Sequence, residues 1–121
     1  MGKALSAVRS QREAVLRALR FADNAARVCR TRGLELVGVY VVGSRARGDY
    51  LESSDIDLVL VISGVDGLNQ VERKVMFKDV MEGGVDFVVL SPREWASDSP
   101  VVKALRGEAV PLHRLASGLL A

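Results

Sequence analysis

The sequence predicts an α/β (α+β) fold in which helices flank a small mixed sheet. Three short segments rich in valine, leucine and isoleucine have the apolar density of buried strands, and segments with helical spacing separate them. The chain has 121 residues, of which 49% are hydrophobic and 26% charged, as is typical of a globular domain. We therefore expect one domain over residues 1–121, with a basic amphipathic helix over 1–32 and a core over 34–112.

Composition also excludes several classes of protein. No apolar run approaches the roughly 18 residues of a membrane span, and the first residues lack the apolar segment of a signal peptide. Cys29 is the only cysteine, which excludes an internal disulfide and a cysteine-based metal cluster. We expect a cytoplasmic protein that does not associate with membranes.

The first predicted element is one long helix over residues 3–32, which Gly33 ends. Its apolar residues recur on one broad face: Val8, Val15, Ala18, Leu19, Ala22, Ala25, Ala26 and Cys29. Phe21 and Val28 fall outside this face. We expect the helix to support the sheet from behind.

Charge is unevenly spread, because residues 1–32 carry a net charge of +6 and the remaining residues −4. Five arginines share one flank of the predicted helix: Arg9, Arg12, Arg20, Arg27 and Arg30. This arginine stripe is either a solvated face or a docking surface for a partner or nucleic acid.

The other elements alternate between strand and helix. Residues 34–42 form a valine-rich strand, followed by a short helix over 44–50 with Ser44 as its N-cap. A second strand covers 55–63, a helix 69–82, and a third strand 85–90. Pro92 and Pro100 can begin short helices over 92–95 and 99–106, before a last strand over 109–112.

Two aspartates open the second strand, although the segment otherwise has the composition of a core strand. Asp55 and Asp57 project from the same strand face, about 6.6 Å apart at the backbone. A buried carboxylate without a partner is costly, so the pair suggests a bound cation, and carboxylate oxygens suit Mg²⁺. Taken alone, the pair also fits two solvated turn residues. Asp86 repeats the pattern early in the third strand, where it could instead cap the strand.

The segment before these aspartates is suited to bind an anion. Gly43 and Ser44 lie between a strand and the start of a helix, where backbone N–H groups and a hydroxyl are free to face a phosphate. Arg45 and Arg47 follow in the same turn and add positive charge.

Gly43-Ser44, followed after ten residues by Asp55-Ile56-Asp57, lies within the stretches GSRARGD and SDIDLVLV. This pattern resembles the minimal nucleotidyltransferase family of the polymerase beta superfamily, and the resemblance continues through VDFVVLSPREW and SPVVKALRGEAVPL. It covers residues 34–112. It implies a polymerase-beta-like nucleotidyltransferase fold and a catalytic core over that range.

The resemblance also implies roles for individual residues. Gly43, Ser44 and Arg47 would bind the nucleotide, with the first two at the triphosphate. The catalytic and metal-binding residues would be Asp55, Asp57 and Asp86, which would hold two Mg²⁺ ions. An acceptor hydroxyl would attack the α-phosphorus of ATP or another nucleoside triphosphate, and pyrophosphate would leave.

Members of this family are typically paired with helical HEPN proteins, and some act as antitoxins that transfer AMP to a tyrosine of the HEPN toxin. This is the leading hypothesis for the chain. One alternative is a small-molecule nucleotidyltransferase of the aminoglycoside-modifying type, and another is a non-catalytic antitoxin that acts by binding alone. We do not expect direct nucleic-acid binding, and a homo-oligomer remains open.

Overall fold

The computed structural model describes residues 2–120, with side chains from Ala4 onward. Residues 1 and 121, the predicted limits of the domain, lie outside the described residues. The elements in chain order are α1 Gly2–Thr31, β1 Glu35–Val42, α2 Ser44–Arg47, β2 Ile56–Ser63, α3 Gln70–Val75, β3 Val85–Leu90, α4 Pro92–Trp95, α5 Pro100–Glu108, β4 Val110–Pro111 and α6 Leu112–Leu120. A 3₁₀ turn at Lys78–Val80 lies between α3 and β3.

The four strands form one sheet in the order β3-β2-β1-β4. β1 pairs antiparallel with β2 and with β4, whereas β2 and β3 are parallel. Parallel strands need a crossover connection, which α3 and the 3₁₀ turn supply here. The predicted small mixed sheet flanked by helices is confirmed.

Both faces of the sheet are covered, so the core has two parts. Leu58 and Leu60 of β2 pack in a cluster with α1 and α6, whereas Val59 and Val61 pack in a second cluster with side chains of α4 and α5. Because successive side chains of β2 point to opposite faces and both faces are covered, β2 has no polar face from Leu58 to Ile62.

The long predicted helix is confirmed, but its buried face differs from the predicted one. Phe21, expected outside that face, is fully buried, with its ring 4.8 Å from that of Phe87 and 6.4 Å from that of Phe77. Val8, expected on the face, is half exposed. The reason is that the residues of α1 that pack in the core cluster, among them Ala18 and Phe21, lie on a helix face that does not include Val8.

Three predicted helix limits were wrong. Gly43, not Ser44, is the N-cap of α2, and the helix ends at Arg47 because Gly48 adopts a left-handed φ of 92°. The helix predicted over 69–82 stops at Val75. The chain then turns inward and buries Phe77 completely in the cluster against α1.

The last helix, α6, was not predicted. Leu112, Leu115, Ala116 and Leu119 lie in or against the same core cluster as α1, at the spacing of one helix face. Within residues 2–120, no helix combines the length and apolar character needed to cross a bilayer.

Candidate functional site

Strand pairing brings the predicted site residues to one end of the sheet. Asp57 of β2 pairs with Val42, the last residue of β1, and with Asp86 of β3. Gly43 follows Val42 directly, so the glycine and the two aspartates lie side by side across three strands. The turn at Gly43 therefore lies beside two of the three predicted carboxylates.

Gly43 is held in a conformation that favours glycine. Its φ of 74° and ψ of −154° lie in a region that other residues essentially avoid. A Cβ at this position would also lie 2.8 Å from Asp57 Oδ2, closer than real Cβ contacts. The absence of a side chain thus lets the Asp57 carboxylate approach the backbone of the turn.

A cavity of about 240 Å³ opens at this end of the sheet. Asp57, Asp86 and Glu108 form its acidic part, and Val88 and Leu105 contribute apolar wall. Among the residues that the structure describes, Asp55 does not line this cavity; it lies at an exposed position just before β2. The structure therefore brings together two of the three predicted carboxylates in the cavity and leaves Asp55 outside its lining.

Glu108, the last residue of α5, is the acidic residue that the sequence analysis missed. Its Oε1 accepts a hydrogen bond from the Gly43 N–H at 2.9 Å, and its Oε2 accepts one from Arg47 Nη1 at 2.8 Å. The Gly43 N–H, followed by the Arg47 guanidinium, holds the pKa of the Glu108 carboxyl below its ordinary value. Arg47 also contacts Asp49 Oδ2 through Nε, at 3.3 Å.

The acidic groups influence one another. Burial raises the pKa of the Asp57 carboxyl above its ordinary value. Negative charge on Asp86, and then on Asp55 and Glu108, adds to this rise. Ionisation of the Asp57 carboxyl in this environment therefore costs free energy, and a cation beside the carboxylate would lower this cost.

Asp86 has a basic neighbour. Its Oδ1 accepts hydrogen bonds from Lys74 Nζ at 3.1 Å and from the Phe87 N–H at 2.8 Å. Lys74 lies on α3, and its ammonium partly offsets the negative charge of Asp86, which is more exposed than Asp57.

Within residues 2–120, no three His, Cys, Asp or Glu side chains form a closed group that could hold a metal ion. Mg²⁺ in nucleotide sites usually takes only one or two protein carboxylates and completes its shell with waters and phosphate oxygens. The oxygen donors of Asp57 and Asp86, in register on adjacent strands, fit such an ion in their chemistry.

The Arg45 guanidinium does not face the turn at Gly43, contrary to the sequence-based expectation that it would add positive charge there. It is only 2% exposed, and its guanidinium donates hydrogen bonds to the carbonyls of Glu52 and Ser54 and to side chains of Ser10 and Gln11. Its positive charge therefore holds the loop that leads to Asp55.

This network also corrects the expected role of α1. The Gln11 side chain donates to the Arg45 carbonyl, and Tyr50 Oη donates to the Ala7 carbonyl. The first half of α1 thus clamps the loop between α2 and β2, in addition to covering the sheet.

A larger groove of about 410 Å³ lies elsewhere, along the exposed face of α1. It is lined by Leu5, Val8, Arg9, Arg12, Glu13 and Leu16, and contains none of the predicted catalytic or nucleotide-binding residues.

Replacing Gly43 with alanine tests the close contact at the turn. We expect Gly43→Ala to lower the free energy of unfolding by about 3 kcal/mol, since backbone strain of about 1–3 kcal/mol adds to the clash with Asp57. Gly48→Ala is the matched control: its φ is also positive, but nothing lies near an added Cβ, so we expect a loss of only about 1 kcal/mol. Urea unfolding measures both, and equal losses would contradict the contact.

The raised pKa of Asp57 predicts a pH-dependent effect of Asp57→Asn without metal. Because the folded state binds this proton more tightly, the carboxylate lowers stability above the folded pKa, and this penalty disappears below the unfolded pKa near ~4. Asp57→Asn should therefore stabilise the chain at pH 7 in EDTA, with a gain that shrinks towards pH 4. Asp66→Asn, which removes an exposed aspartate beyond the opposite end of β2, is the control for loss of one negative charge. A pH-independent effect of Asp57→Asn would contradict the burial argument.

Comparison with known proteins agrees with this geometry. The family model for the nucleotidyltransferase domain matches residues 23–105, more than half of the chain. In structure, the chain is similar to a crystallised Sulfolobus solfataricus protein described as a candidate nucleotidyltransferase; the two are 32% identical, the match covers 88% of this chain and 85% of the other, and the TM-score is 0.67. A comparison with curated proteins gave no match. The predicted polymerase-beta-like nucleotidyltransferase fold is confirmed, and the chain belongs to the nucleotidyltransferase domain family.

Proposed function

We propose that this chain is a minimal nucleotidyltransferase that uses Mg²⁺ to transfer AMP from ATP to a tyrosine hydroxyl of a HEPN toxin, and so acts as its antitoxin. The observation that carries the catalytic part of the proposal is the contact between Gly43 and the Asp57 carboxylate. It joins a turn with a backbone N–H donor to a pair of carboxylates in one cavity, as transfer from a metal-bound triphosphate requires.

The turn is proposed to hold the triphosphate. The Gly43 N–H already donates to a carboxylate oxygen, which supports an anion at this position. Ser44, at the start of α2, would add its N–H and hydroxyl, and Arg47 would add positive charge from the end of that helix. These groups would bind the leaving pyrophosphate and hold the α-phosphorus in the cavity.

Asp55, Asp57 and Asp86 are the residues proposed to hold two Mg²⁺ ions, which when bound would stabilise charge on the attacking and leaving oxygens. Asp86 is also proposed to take the proton of the acceptor hydroxyl. The acceptor oxygen forms a bond to the α-phosphorus while the bond to the bridging oxygen breaks, and pyrophosphate leaves with its electron pair. Val88 and Leu105, on the apolar wall, would limit water near the reacting atoms.

The partner is proposed to dock on α1. All five members of the arginine stripe lie at exposed positions, which supports a basic surface for an acidic protein, although Arg20 already pairs with Glu82 at 3.2 Å. Leu5, Val8 and Leu16 are also exposed along the groove of α1, so the surface combines apolar area with positive charge.

Transfer itself tests the enzymatic assignment. Incubation with α-phosphate-labelled ATP, Mg²⁺ and a purified HEPN toxin should label a tyrosine of that toxin, as located by mass spectrometry. Asp57→Asn should lower the rate at least about a hundredfold, because a metal contributes several kcal/mol to the transition state. The control Asp66→Asn should stay within about twofold.

Other outcomes would contradict parts of this proposal. Label on an added aminoglycoside but not on the HEPN protein would favour a small-molecule enzyme. Neutralisation of the toxin without label would favour an antitoxin that acts by binding alone. Full transfer by Asp57→Asn would contradict the assigned site.

Docking on α1 predicts an effect of charge reversal. Replacing Arg12, Arg20 and Arg27 together with glutamate should weaken HEPN binding at least about tenfold, since like charges facing each other cost several kcal/mol. Mg²⁺-ATP binding should persist, because these three side chains lie outside the clamp on the loop. The matched control reverses Arg93, Lys103 and Arg114, which are exposed on α4, α5 and α6. Equal losses in both triple variants, measured by surface plasmon resonance, would show that net charge rather than the α1 surface matters.

A further inference from the structure

We propose that the Glu108 carboxylate occupies the position of a phosphate group in the nucleotide-free protein, and that the triphosphate enters by exchanging with it. This inference rests on the proposed function, because it assumes that the turn at Gly43 binds the triphosphate. It makes Glu108 a residue that determines which anions can enter the site.

The Glu108 carboxylate already accepts from two donors that a phosphate at the turn would need. One carboxylate spans the Gly43 N–H at 2.9 Å and Arg47 Nη1 at 2.8 Å, with a different oxygen for each donor. A phosphate group also presents separate oxygens to a backbone N–H and a guanidinium. Because the Gly43 N–H points at Glu108, a phosphate can take this donor only when the carboxylate leaves it.

The negative charge of Glu108 also opposes a triphosphate in the cavity. Glu108 lines the same cavity as Asp57 and Asp86, so a triphosphate that entered beside it would meet three carboxylates. Departure of Glu108 would free two donors and remove one negative charge from the anion's position. The Glu108 side chain is 25% exposed, so water already reaches it and can solvate the carboxylate after exchange.

Exchange also gives Glu108 a role in selectivity. An anion with little charge gains little binding free energy from the Gly43 N–H and the Arg47 guanidinium, because it must first displace a carboxylate that already binds both. A triphosphate has more charge and more oxygens, and its gain is correspondingly larger. Glu108 therefore raises the binding free energy that an anion needs in order to occupy the turn. It also keeps Gly43 and Arg47 in place when no nucleotide is bound.

Binding of inorganic tripolyphosphate in EDTA tests this inference without metal or base. We expect Glu108→Gln and Glu108→Ala to bind tripolyphosphate about tenfold more tightly than the unmodified chain, a change of about 1.4 kcal/mol by calorimetric titration. Asp49→Asn is the matched control, since it removes one negative charge that also contacts Arg47 but not Gly43. Its affinity should change by less than about threefold.

The outcomes separate this inference from the proposed function. Unchanged or weaker tripolyphosphate binding by both Glu108 variants, or an equal gain in Asp49→Asn, overturns the exchange. Titration of Mg²⁺-ATP into the unmodified chain tests the nucleotide site on its own, so binding there without a gain in the Glu108 variants refutes only the exchange.

A measurement on the unmodified chain covers the case in which the Glu108 variants fail to fold. The carbon-13 signal of the Glu108 carboxyl should shift when tripolyphosphate saturates the protein, because the carboxylate loses both donors. An unshifted signal at saturation would overturn the inference.

Discussion

The pairing of β1 with β2 holds the backbone of Gly43 against the carboxylate of Asp57, and the rest of the site is arranged around this contact. The register places Asp57 opposite Val42, so the turn that follows β1 begins beside the first charged side chain within β2. β3 then adds Asp86 on the other side of Asp57. A shift of one residue in either pairing would turn the carboxylates to the opposite face of the sheet, into the cluster packed against α1.

Two buried arginines join the elements that surround the sheet. Arg45 ties the loop before Asp55 to α1 through two carbonyls and two side chains, and the Tyr50 ring packs over its guanidinium at 4.5 Å. Arg73 is also buried, and it joins α3 to the Val89 carbonyl of β3 and to Glu94. Because each guanidinium bonds several groups, its burial is compensated. Arg45 anchors the loop before Asp55 to α1, and Arg73 anchors α3 near the end of β3 that lies away from Asp86.

Much of the fold follows from local patterns, whereas several of the site's contacts do not. Valine-rich runs and their flanking glycines predicted the three long strands. Strand alternation predicted that Asp55 and Asp57 would share a strand face, but Asp55 lies just before β2 and does not line the cavity, where pairing with β3 places Asp86 beside Asp57 instead. The contact of Glu108 with Gly43 joins residues 65 positions apart, and no spacing within the chain indicates it. Arg45 was misjudged for a similar reason, because proximity to Ser44 in sequence does not show which way its side chain points. The helical spacing of Leu112, Leu115 and Leu119 was a readable signal of α6 that the sequence analysis did not use.

The central claim is that one turn and one group of carboxylates form a single nucleotide site. A crystal structure of the chain with Mg²⁺ and a non-hydrolysable ATP analogue tests it most directly. The account predicts triphosphate oxygens within hydrogen-bond distance of the Gly43 and Ser44 N–H groups, and metal density within about 2.1 Å of Asp57 oxygens. Nucleotide bound in the groove of α1, or a triphosphate with no contact to Gly43 or Asp57, would contradict it.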